Sequence, residues 1–554
     1  MVKDFSNEIM AYALANALEH GSAKSGVILP KLFKHGLKKE QIKDFISVIE
    51  EIVKLVNAMP KAEMEKKFGD FEKYLAEKEV HEDKGLPELK KISKKMVFRL
   101  APFPSGALHI GNMKTYLLNA LYAEKYKGKI ILVIDDTIGS KEKAIVLEAY
   151  SLIPEAFDFL KVKYGKPIIY KSDRLEIYYK YAEKIIEKGK AYVCTCPQEL
   201  MRENRAKGIS CACRMLKTKE QLARWKKMFS MKEGEGVLRL KTDIKHKNPA
   251  FRDRVLFRIS DREHVRVKDK YRVWPLLEFS WAIDDYLLKI THAIRGKELM
   301  MEGEMQKYIW DIFGWRGPEF IYTGLIKLEG IGGKLSKSKS QEEVYSGKFE
   351  GWEDPRTWSV QSLAKRGILA ESLREFVEKI GLNQKEIVVP IDDLYAINRR
   401  KIDAIANRYS FVENPVKIIL DKKLPKEIKV KIHPEKKSLK TISLGDELFV
   451  TKKDFEDFKK KPVRLMHLFN VQLDKNAKFI SEDNDPKIRK INWVSKGHKI
   501  KVLMPTGIWI NGLAEEATNK LKDGEIVQFE RFGFCKYHGK NRFNGEQEFW
   551  YTHD

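Results

Sequence analysis

The stretch Met96-Val-Phe-Arg-Leu-Ala-Pro-Phe-Pro-Ser-Gly-Ala-Leu-His-Ile-Gly-Asn112 decides how the centre of this chain folds. Its first residues form a short apolar run typical of a strand, and apolar residues at helical spacing follow from His109 until Gly128. A second apolar strand begins at Lys129 and ends in Asp135-Asp136-Thr137. Strand, glycine-containing loop, helix and strand make a βαβ unit, which is parallel and right-handed in nearly all proteins. The sequence therefore predicts a Rossmann-like α/β core.

Changes of pattern on both sides of this unit predict further domains. The chain has 554 residues, and a chain of this length usually folds into several domains, each with its own hydrophobic core. Helical spacing precedes the core, cysteine pairs interrupt it, and short strands separated by turns end the chain. The predicted domains are a helical N-terminal appendage (1–93), the α/β core (94–340) with an insertion (190–265), a helical connector (341–411) and a β-barrel region (412–554).

Composition favours a polyanionic partner. The chain carries 105 Lys and Arg against 79 Asp and Glu, a formal charge of +26, which attracts nucleic acid through steering and counterion release. Charge-rich surfaces also occur in heat-adapted proteins, and the two interpretations are compatible. Because neither a secretory leader pattern nor an apolar run of membrane-spanning length is found, we expect a soluble, cytoplasmic protein without a membrane partner.

The segment around His109 predicts an ATP site. It lies where a strand ends and a helix begins, and the free amides of a helix N-terminus bind phosphate. Pro104 and Gly106 of the loop are further candidates for ATP binding. Gly111 allows the nucleotide close to the backbone, and His109 can donate a hydrogen bond to phosphate. Taken alone, a His-x-Gly-x tetrapeptide also fits an ordinary helix start.

A second candidate element is the glycine-led basic loop Gly332-Gly-Lys-Leu-Ser-Lys-Ser-Lys-Ser340. Lys334 and Lys337 on such a loop can close over a triphosphate and neutralise the charge that develops at the α-phosphate during in-line attack. The alternative for this segment alone is a solvated basic loop.

Together, His-Ile-Gly-Asn112 and Lys-Leu-Ser-Lys337-Ser resemble the paired signature of class I aminoacyl-tRNA synthetases. The resemblance implies that His109 and Asn112 bind Mg-ATP. It also implies that Lys337 stabilises the adenylation transition state, assisted by Lys334 and Ser336.

Further stretches resemble the glutamyl and glutaminyl branch of that class, in particular the archaeal type of glutamyl-tRNA synthetase. By resemblance, Arg99 faces the amino acid, Asp135 holds its ammonium group, and Arg295 reads the side-chain carboxylate. The guanidinium fork can pair with a carboxylate, whereas a glutamine side chain offers no charge to match. The stretches are Arg99-Leu-Ala-Pro-Phe-Pro-Ser-Gly, Ile134-Asp-Asp-Thr, Val273-Trp-Pro-Leu-Leu-Glu-Phe and Ile290-Thr-His-Ala-Ile-Arg-Gly-Lys-Glu.

The function implied by this resemblance is the ATP-dependent attachment of glutamate to tRNA(Glu), with tRNA(Gln) as a second candidate acceptor. We expect the protein to be a monomer. Arg295 argues against a glutaminyl enzyme. A tRNA-binding paralogue without catalysis is the other alternative, because Phe103, Leu277 and Trp281 depart from the common pocket residues. Leu277 can contact the amino acid, or Leu277 and Trp281, four positions apart, can pack on one helical face.

Four of the five cysteines form two pairs, Cys194-Thr-Cys196 and Cys211-Ala-Cys213. Four thiolates can complete a tetrahedral zinc site without an open position, and such sites hold small insertions together. The resemblance places this insertion at the tRNA acceptor stem. Because Cys-x-Cys is tighter than the usual zinc spacing, reduced thiols without metal are the alternative.

Arginines in the connector and at its end are candidates for tRNA binding. The resemblance implies that the β-barrel region that follows binds the anticodon. Arginine and aromatic side chains there can contact phosphates or stacked bases, or can pack between domains. The candidates are Arg356, Arg399, Arg400 and Arg408.

Overall fold

A computed structural model of the chain describes residues 4–37, 41–75, 85–138, 144–331, 337–445 and 447–554. The chain divides into two compact units, Met1–Lys84 and Gly85–Asp554. Within these described ranges, no helix is long and apolar enough to cross a lipid bilayer.

The first unit is helical. Its helices are α1 (Ser6–His20), α2 (Ser25–Leu32), α3 (Ile42–Asn57) and α4 (Lys61–Phe71). Apolar residues recur at every third or fourth position of α3, so Phe45, Ile49 and Val53 share one buried face. Phe45 packs edge-to-face on Phe5 with ring centroids 5.2 Å apart. The unit therefore has a hydrophobic core of its own.

The second unit is built on a parallel sheet. Its first half consists of β1 (Val97–Leu100), α5 (Ile110–Lys125), β2 (Lys129–Ile134), α6 (Ala149–Phe159) and β3 (Gly165–Tyr170). β2 lies between β1 and β3 and pairs with both in parallel. Leu132 and Ile134 are fully buried, as expected for a parallel strand covered by helices.

An antiparallel sheet interrupts this α/β core. The elements are α7 (Leu175–Glu187), β4 (Ala191–Cys194), α8 (Gln198–Lys207), α9 (Thr218–Met228), β5 (Val237–Leu240), β6 (Val255–Ile259) and β7 (Val273–Pro275). The four strands pair in sequence order. Phe257 of β6 contacts the rings of Trp225 and Phe279, at centroid distances of 5.3 and 4.9 Å. The inserted sheet thus packs on the helix that follows it.

The second half of the core consists of α10 (Leu277–Leu287), β8 (His292–Gly296), α11 (Met300–Phe313) and β9 (Glu319–Thr323). β8 and β9 pair in parallel. Thr291, directly before β8, exchanges hydrogen bonds with Val97 at 2.8 and 2.9 Å. This exchange places β8 beside β1, so the two halves of the core meet at β1.

The connector contains a strand as well as helices. From the end of the core onward the elements are β10 (Ile326–Glu329), α12 (Lys337–Tyr345), α13 (Val360–Lys365), α14 (Ala370–Ile380), β11 (Ile387–Pro390) and α15 (Ile391–Ile402). β11 pairs with β10 in parallel. The sequence predicts only helices here, but the β-branched run in Ile387-Val-Val-Pro390 disfavours a helix and suits a strand.

The remaining chain is almost entirely β-structure, arranged mainly as a seven-stranded and a six-stranded sheet. Together with the parallel core, the inserted sheet and the N-terminal helices, these sheets confirm the predicted fold class. The domain limits stay predictions. The elements are β12 (Asn407–Tyr409), β13 (Phe411–Glu413), β14 (Pro415–Leu420), β15 (Glu427–Lys431), β16 (Leu439–Ser443), β17 (Glu447–Thr451), α16 (Lys452–Phe458), β18 (Pro462–Leu465), β19 (Asn470–Gln472), β20 (Asn476–Ser481), β21 (Arg489–Ile491), β22 (Gly497–Leu503), β23 (Trp509–Glu515), β24 (Ile526–Phe529), β25 (Gly533–Lys540) and β26 (Gln547–His553).

Candidate active site

A cavity of about 1140 Å³ lies at the carboxyl ends of β1, β2 and β8. This edge of a parallel sheet is where open α/β folds bind ligands. Pro104 and Gly106, predicted to contact ATP, are not part of its lining. The residues singled out in the sequence that do line the cavity are Arg99, Phe103, His109, Gly111, Asn112, Asp135, Leu277, Trp281 and Arg295.

His109 caps the N-terminus of α5. Its backbone N–H donates to Oδ1 of Asn112 at 3.0 Å, and its Nδ1 accepts the N–H of Gly111 at 3.0 Å. Because Nδ1 is an acceptor, the ring proton lies on Nε2, which makes Nε2 a donor. A helix N-terminus and an imidazole donor therefore meet at the cavity, an arrangement that suits phosphate.

Gly106 is required by packing. Its φ of +128° is one that residues with a Cβ rarely adopt, and a Cβ at this position would lie 2.1 Å from Cη2 of Trp352. Trp352 is held in turn, because its carbonyl accepts hydrogen bonds from the hydroxyls of Thr357 and Ser359 at 3.0 and 2.6 Å. The loop before α5 is therefore shaped by the connector.

A second contact links the start of α5 to the end of the chain. The N–H of Ile110 donates to the carbonyl of Trp358 at 3.1 Å. The guanidinium of Arg366 lies over the Trp358 ring, 4.9 Å from its centroid. Arg366 also donates to the carbonyls of Tyr551 and Thr552 in β26, at 3.2 and 2.8 Å. The N-terminus of α5 and the last strand are thus joined by three successive contacts.

The basic loop lies mostly outside the described residues. Lys334 and Ser336 fall there, while Lys337 begins α12 and its side chain is not described. Lys327 and Ile331, on the chain that leads into the loop, line the cavity. The described chain before the loop therefore reaches the cavity wall at Ile331.

Arg99 at the cavity floor is held by an ion pair. Its Nε lies 2.5 Å from Oδ1 of Asp285, and its Nη2 lies 3.3 Å from Oδ2. Both residues are buried, and Asp285 belongs to α10. The two-pronged contact fixes the plane of the guanidinium.

Asp135 follows β2 and is bonded mainly through one oxygen. Its Oδ2 accepts the indole N–H of Trp281 at 2.8 Å and lies 3.0 Å from Nζ of Lys171. Its Oδ1 accepts from the hydroxyl of Thr137 at the longer distance of 3.3 Å. Oδ1 therefore keeps acceptor capacity for a ligand.

Trp281 forms part of the cavity wall between two cations. The guanidinium of Arg99 and the ammonium of Lys171 lie 3.6 and 3.7 Å from its ring centroid. Two cations so close to one centroid would collide on the same face, so they lie on opposite faces. Leu277, one helical turn earlier, also lines the cavity. The position of Leu277 and Trp281 is therefore compatible with both predicted roles, contact with a ligand in the cavity and packing on one face of α10.

Arg295 is the second arginine of the cavity. It is 4% exposed, and its Nη1 donates to Oε1 of Gln306 at 2.9 Å. Among the described residues, its Nε has no hydrogen-bond partner. Burial, followed by repulsion from Arg99, lowers the pKa of Arg295 to about 10. The side chain is therefore charged at neutral pH and suited to an anion.

The four paired cysteines converge in the insertion, with their sulfur atoms within 4.8 Å of one another. Sγ of Cys194 lies 3.8 Å from that of Cys211, and Sγ of Cys196 lies 4.0 Å from that of Cys213. A zinc tetrahedron with Zn–S bonds of about 2.3 Å has edges of about 3.8 Å. Against the effect of burial, hydrogen bonds from Thr195 and Arg224 lower the pKa of Cys213 to about 7. The donor set fits zinc.

The four arginines proposed for tRNA each have a partner within the chain. Nη2 of Arg400, for example, lies 2.5 Å from Oε1 of Glu375. These contacts lie within the chain, and the choice between tRNA binding and packing between domains stays a prediction. The partners are Asp354 for Arg356, the backbone of Asp554 for Arg399, Glu375 for Arg400 and Asp403 for Arg408.

Comparison with known families identifies the class of protein. The family described as tRNA synthetases class I (E and Q), catalytic domain, matches residues 95–404. Two families described as the anti-codon binding domain of the same synthetases match residues 406–490 and 490–538. The chain belongs to the class I tRNA synthetases for glutamate and glutamine.

Curated relatives extend over nearly the whole chain. Glutamate–tRNA ligase of Pyrococcus furiosus is 40% identical over 95% of this chain and 96% of its own length. The ligase of Methanocaldococcus jannaschii is 38% identical over 96% and 98%. That of Methanothermobacter marburgensis is 35% identical over the full length of both chains. The predicted resemblance to archaeal glutamyl enzymes is confirmed.

Three residues that hold the site, Lys171, Asp285 and Gln306, carry no motif that marks them in the sequence. Each contacts a cavity residue that belongs to another part of the fold, Lys171 with Asp135, Asp285 with Arg99 and Gln306 with Arg295. The one available signal is the acidic pair Asp284-Asp285 on the otherwise apolar end of α10, because buried carboxylates need partners. Which partner each residue takes follows only from the tertiary structure.

Proposed function

We propose that this chain is a glutamate–tRNA ligase. It activates glutamate with ATP and transfers the glutamyl group to the 3′ end of tRNA(Glu). The choice of glutamate rests on Arg295, a buried and charged guanidinium with an unpaired Nε among the described residues. A carboxylate can take that donor, whereas a glutamine amide brings no charge to balance the arginine.

The nucleotide is proposed to bind along the loop of Pro104 and Gly106 and at the start of α5. His109 donates from Nε2 to a phosphate oxygen, Asn112 keeps the cap in place, and Gly111 admits the nucleotide close to the backbone. Mg²⁺ accompanies the phosphates. Lys337, with Lys334 and Ser336, neutralises the charge that develops at the α-phosphate.

Activation and transfer are two displacements. A carboxylate oxygen of glutamate attacks the α-phosphorus, the bond to the β-phosphate breaks, and pyrophosphate leaves. A terminal ribose hydroxyl of tRNA then attacks the glutamyl carbonyl, and AMP leaves. Arg99, Asp135 and the wall residue Leu277 orient the amino acid, so positioning and charge stabilisation supply the rate without a covalent enzyme intermediate.

The tRNA is proposed to lie along the insertion, the connector and the C-terminal sheets. Family membership supports an anticodon-binding role for residues 406–538, and the charge of +26 supports RNA binding. The four paired arginines can contact phosphates through N–H groups that their partners leave available. The four cysteines would hold zinc, which would stabilise the insertion.

A charging assay tests the proposal. The purified protein is incubated with glutamate or glutamine and with tRNA isoacceptors for each, and acylated tRNA is measured. We expect glutamate to be attached to tRNA(Glu), with tRNA(Gln) as the second acceptor to be scored. Attachment of glutamine alone would indicate a glutaminyl enzyme, and no attachment would indicate a paralogue without catalysis.

The substitution Arg295→Gln tests the residue on which the choice rests. We expect kcat/KM for glutamate to fall by about 10²-fold or more, because a buried charge-assisted contact is lost. The control is Arg316→Gln, an exposed arginine of the same half of the core, which should retain the wild-type value. Equal activity of both variants would contradict the role of Arg295.

A further inference from the structure

Lys171, which the proposed mechanism does not use, is a buried lysine behind the amino-acid pocket. It follows β3, and its Nζ lies 3.0 Å from Oδ2 of Asp135 and 2.8 Å from the hydroxyl oxygen of Ser280. Lys171 is 0% exposed and does not line the cavity, whereas Asp135 does. Lys171 therefore acts on the cavity only through its neighbours.

The fold alone does not explain a charge at this position. An ammonium group loses its hydration on burial, and burial lowers the pKa of Lys171 while Asp135 and Asp284 oppose the change. An apolar side chain of similar volume would fill the same space without that desolvation. The charge is therefore explained better by what it does to Asp135 and Trp281.

The first consequence concerns Asp135. Both the ammonium of Lys171 and the indole N–H of Trp281 approach Oδ2, and this fixes the rotation of the carboxylate. Oδ1, which has only the 3.3 Å contact with Thr137 among the described residues, is then the oxygen that can receive a substrate ammonium. Without Lys171, Oδ2 would keep only the indole N–H of Trp281, and the carboxylate could rotate more freely.

The second consequence concerns Trp281. Lys171 covers one face of the indole and Arg99 covers the other. Arg99 is itself held by Asp285. Lys171 is therefore the inner end of a row, Lys171, Trp281, Arg99 and Asp285, in which each group limits the movement of the next.

We propose that Lys171 is a positioning residue for the amino-acid substrate, which holds Asp135 and Trp281 in the arrangement that receives the substrate's ammonium group. This inference rests on the proposed function and names the residue that prepares the pocket. Its effect should fall on the KM for glutamate, because the anchored groups lie at the amino-acid part of the cavity and the ATP contacts lie on α5.

Two substitutions test the inference in the full chain with tRNA(Glu). Lys171→Met keeps the volume and removes the charge, and we expect it to raise KM for glutamate by about tenfold or more. Lys171→Gln can still donate to Asp135 and Ser280, and we expect a smaller rise. Initial rates are measured with glutamate, ATP and tRNA varied in turn, and KM for ATP should stay within about twofold of wild type for both variants.

The matched control is Lys114→Met. Lys114 is also buried, and its Nζ donates to the carbonyl of Gly324 at 3.1 Å, but it does not line the cavity. We expect this variant to lose stability and to keep the wild-type KM for glutamate. A purely structural role of Lys171 predicts that both methionine variants behave alike.

A folded Lys171→Met variant with the wild-type KM for glutamate would overturn the inference, as would equal rises for glutamate, ATP and tRNA. If Lys171→Met does not fold, Lys171→Gln tests the inference instead, and a wild-type KM for glutamate in that variant would overturn it. A wild-type protein that charges no tRNA would instead refute the proposed function, so the two failures are distinguishable.

Discussion

Nε of Arg99 and Oδ1 of Asp285 lie 2.5 Å apart, in an ion pair that joins β1 to α10 beneath the cavity. Their side chains are 6% and 0% exposed. Removing one partner of such a pair leaves the other charge buried without compensation, which is more costly than losing a pair at the surface. The same contact therefore serves the site and the stability of the second unit.

Asp285→Ala should lower the free energy of unfolding by about 3 kcal/mol or more. Denaturant-induced unfolding followed by tryptophan fluorescence measures the change. Glu304→Ala is the control, because Glu304 pairs with Lys307 at the surface, and its loss should cost less than about 1 kcal/mol. Equal losses in the two variants would show that the Arg99 pair contributes no more than a surface pair.

Two replacements of His109 distinguish its role in capping α5 from its proposed hydrogen bond to phosphate. His109→Asn keeps a side chain that caps helices well but removes the Nε2 donor, so stability should stay near wild type while adenylation slows by about 10²-fold. His109→Ala removes both, and should in addition lose about 1 kcal/mol of stability. Thermal unfolding and single-turnover adenylate formation with bound tRNA measure the two effects. Wild-type adenylation by His109→Asn would contradict a role for the imidazole.

The cysteine cluster should bind a single zinc ion per chain. We expect Cys211→Ser to lose that metal and to make the insertion sensitive to protease, because the structural site would no longer close. Elemental analysis of the purified protein measures the zinc. Cys535→Ala is the control, since Cys535 is a buried thiol of β25 outside the cluster. Metal-free wild-type protein with unchanged resistance to protease would support the alternative of reduced thiols.

His553 should make stability depend on pH. Burial lowers its pKa to about 4 from the ordinary value of 6.5. Between these two values the unfolded chain binds a proton that the folded chain does not, so stability falls as pH decreases from 6.5 to 4. This histidine contributes about 3 kcal/mol to that fall. His553→Gln should flatten the profile of unfolding free energy in this window, and an unchanged slope would contradict the assignment.

Much of the fold follows from local patterns. Met96 to Asp136 carries a strand pattern, a helix pattern and a second strand pattern in succession, and the structure forms β1, α5 and β2 there. β11 is different, because four residues of strand between two helices are too short for periodicity to separate from a helix end. Its pairing with β10 arises only from the tertiary structure.

Some residues of the candidate site can likewise be predicted from local sequence, and others cannot. His109 and Arg295 lie in recognisable motifs, so the sequence alone points to them. Lys171 and Gln306 have a role only because the fold brings them against Asp135 and Arg295. A single sequence gives the types of charge that are present, but pairing of buried charges depends on distances that the complete fold determines.

The hydrogen bonds from Arg366 to the carbonyls of β26 affect where the chain could be truncated to express one part alone. The catalytic family match ends at residue 404, which suggests a natural place to express the catalytic part separately. Cutting there would leave the buried guanidinium without Tyr551 and Thr552, beside the Trp358 carbonyl that receives the first amide of α5. In the shortened protein the N-terminus of α5 would therefore be held less firmly. Insertions that create a split or permuted version are better placed in exposed loops elsewhere.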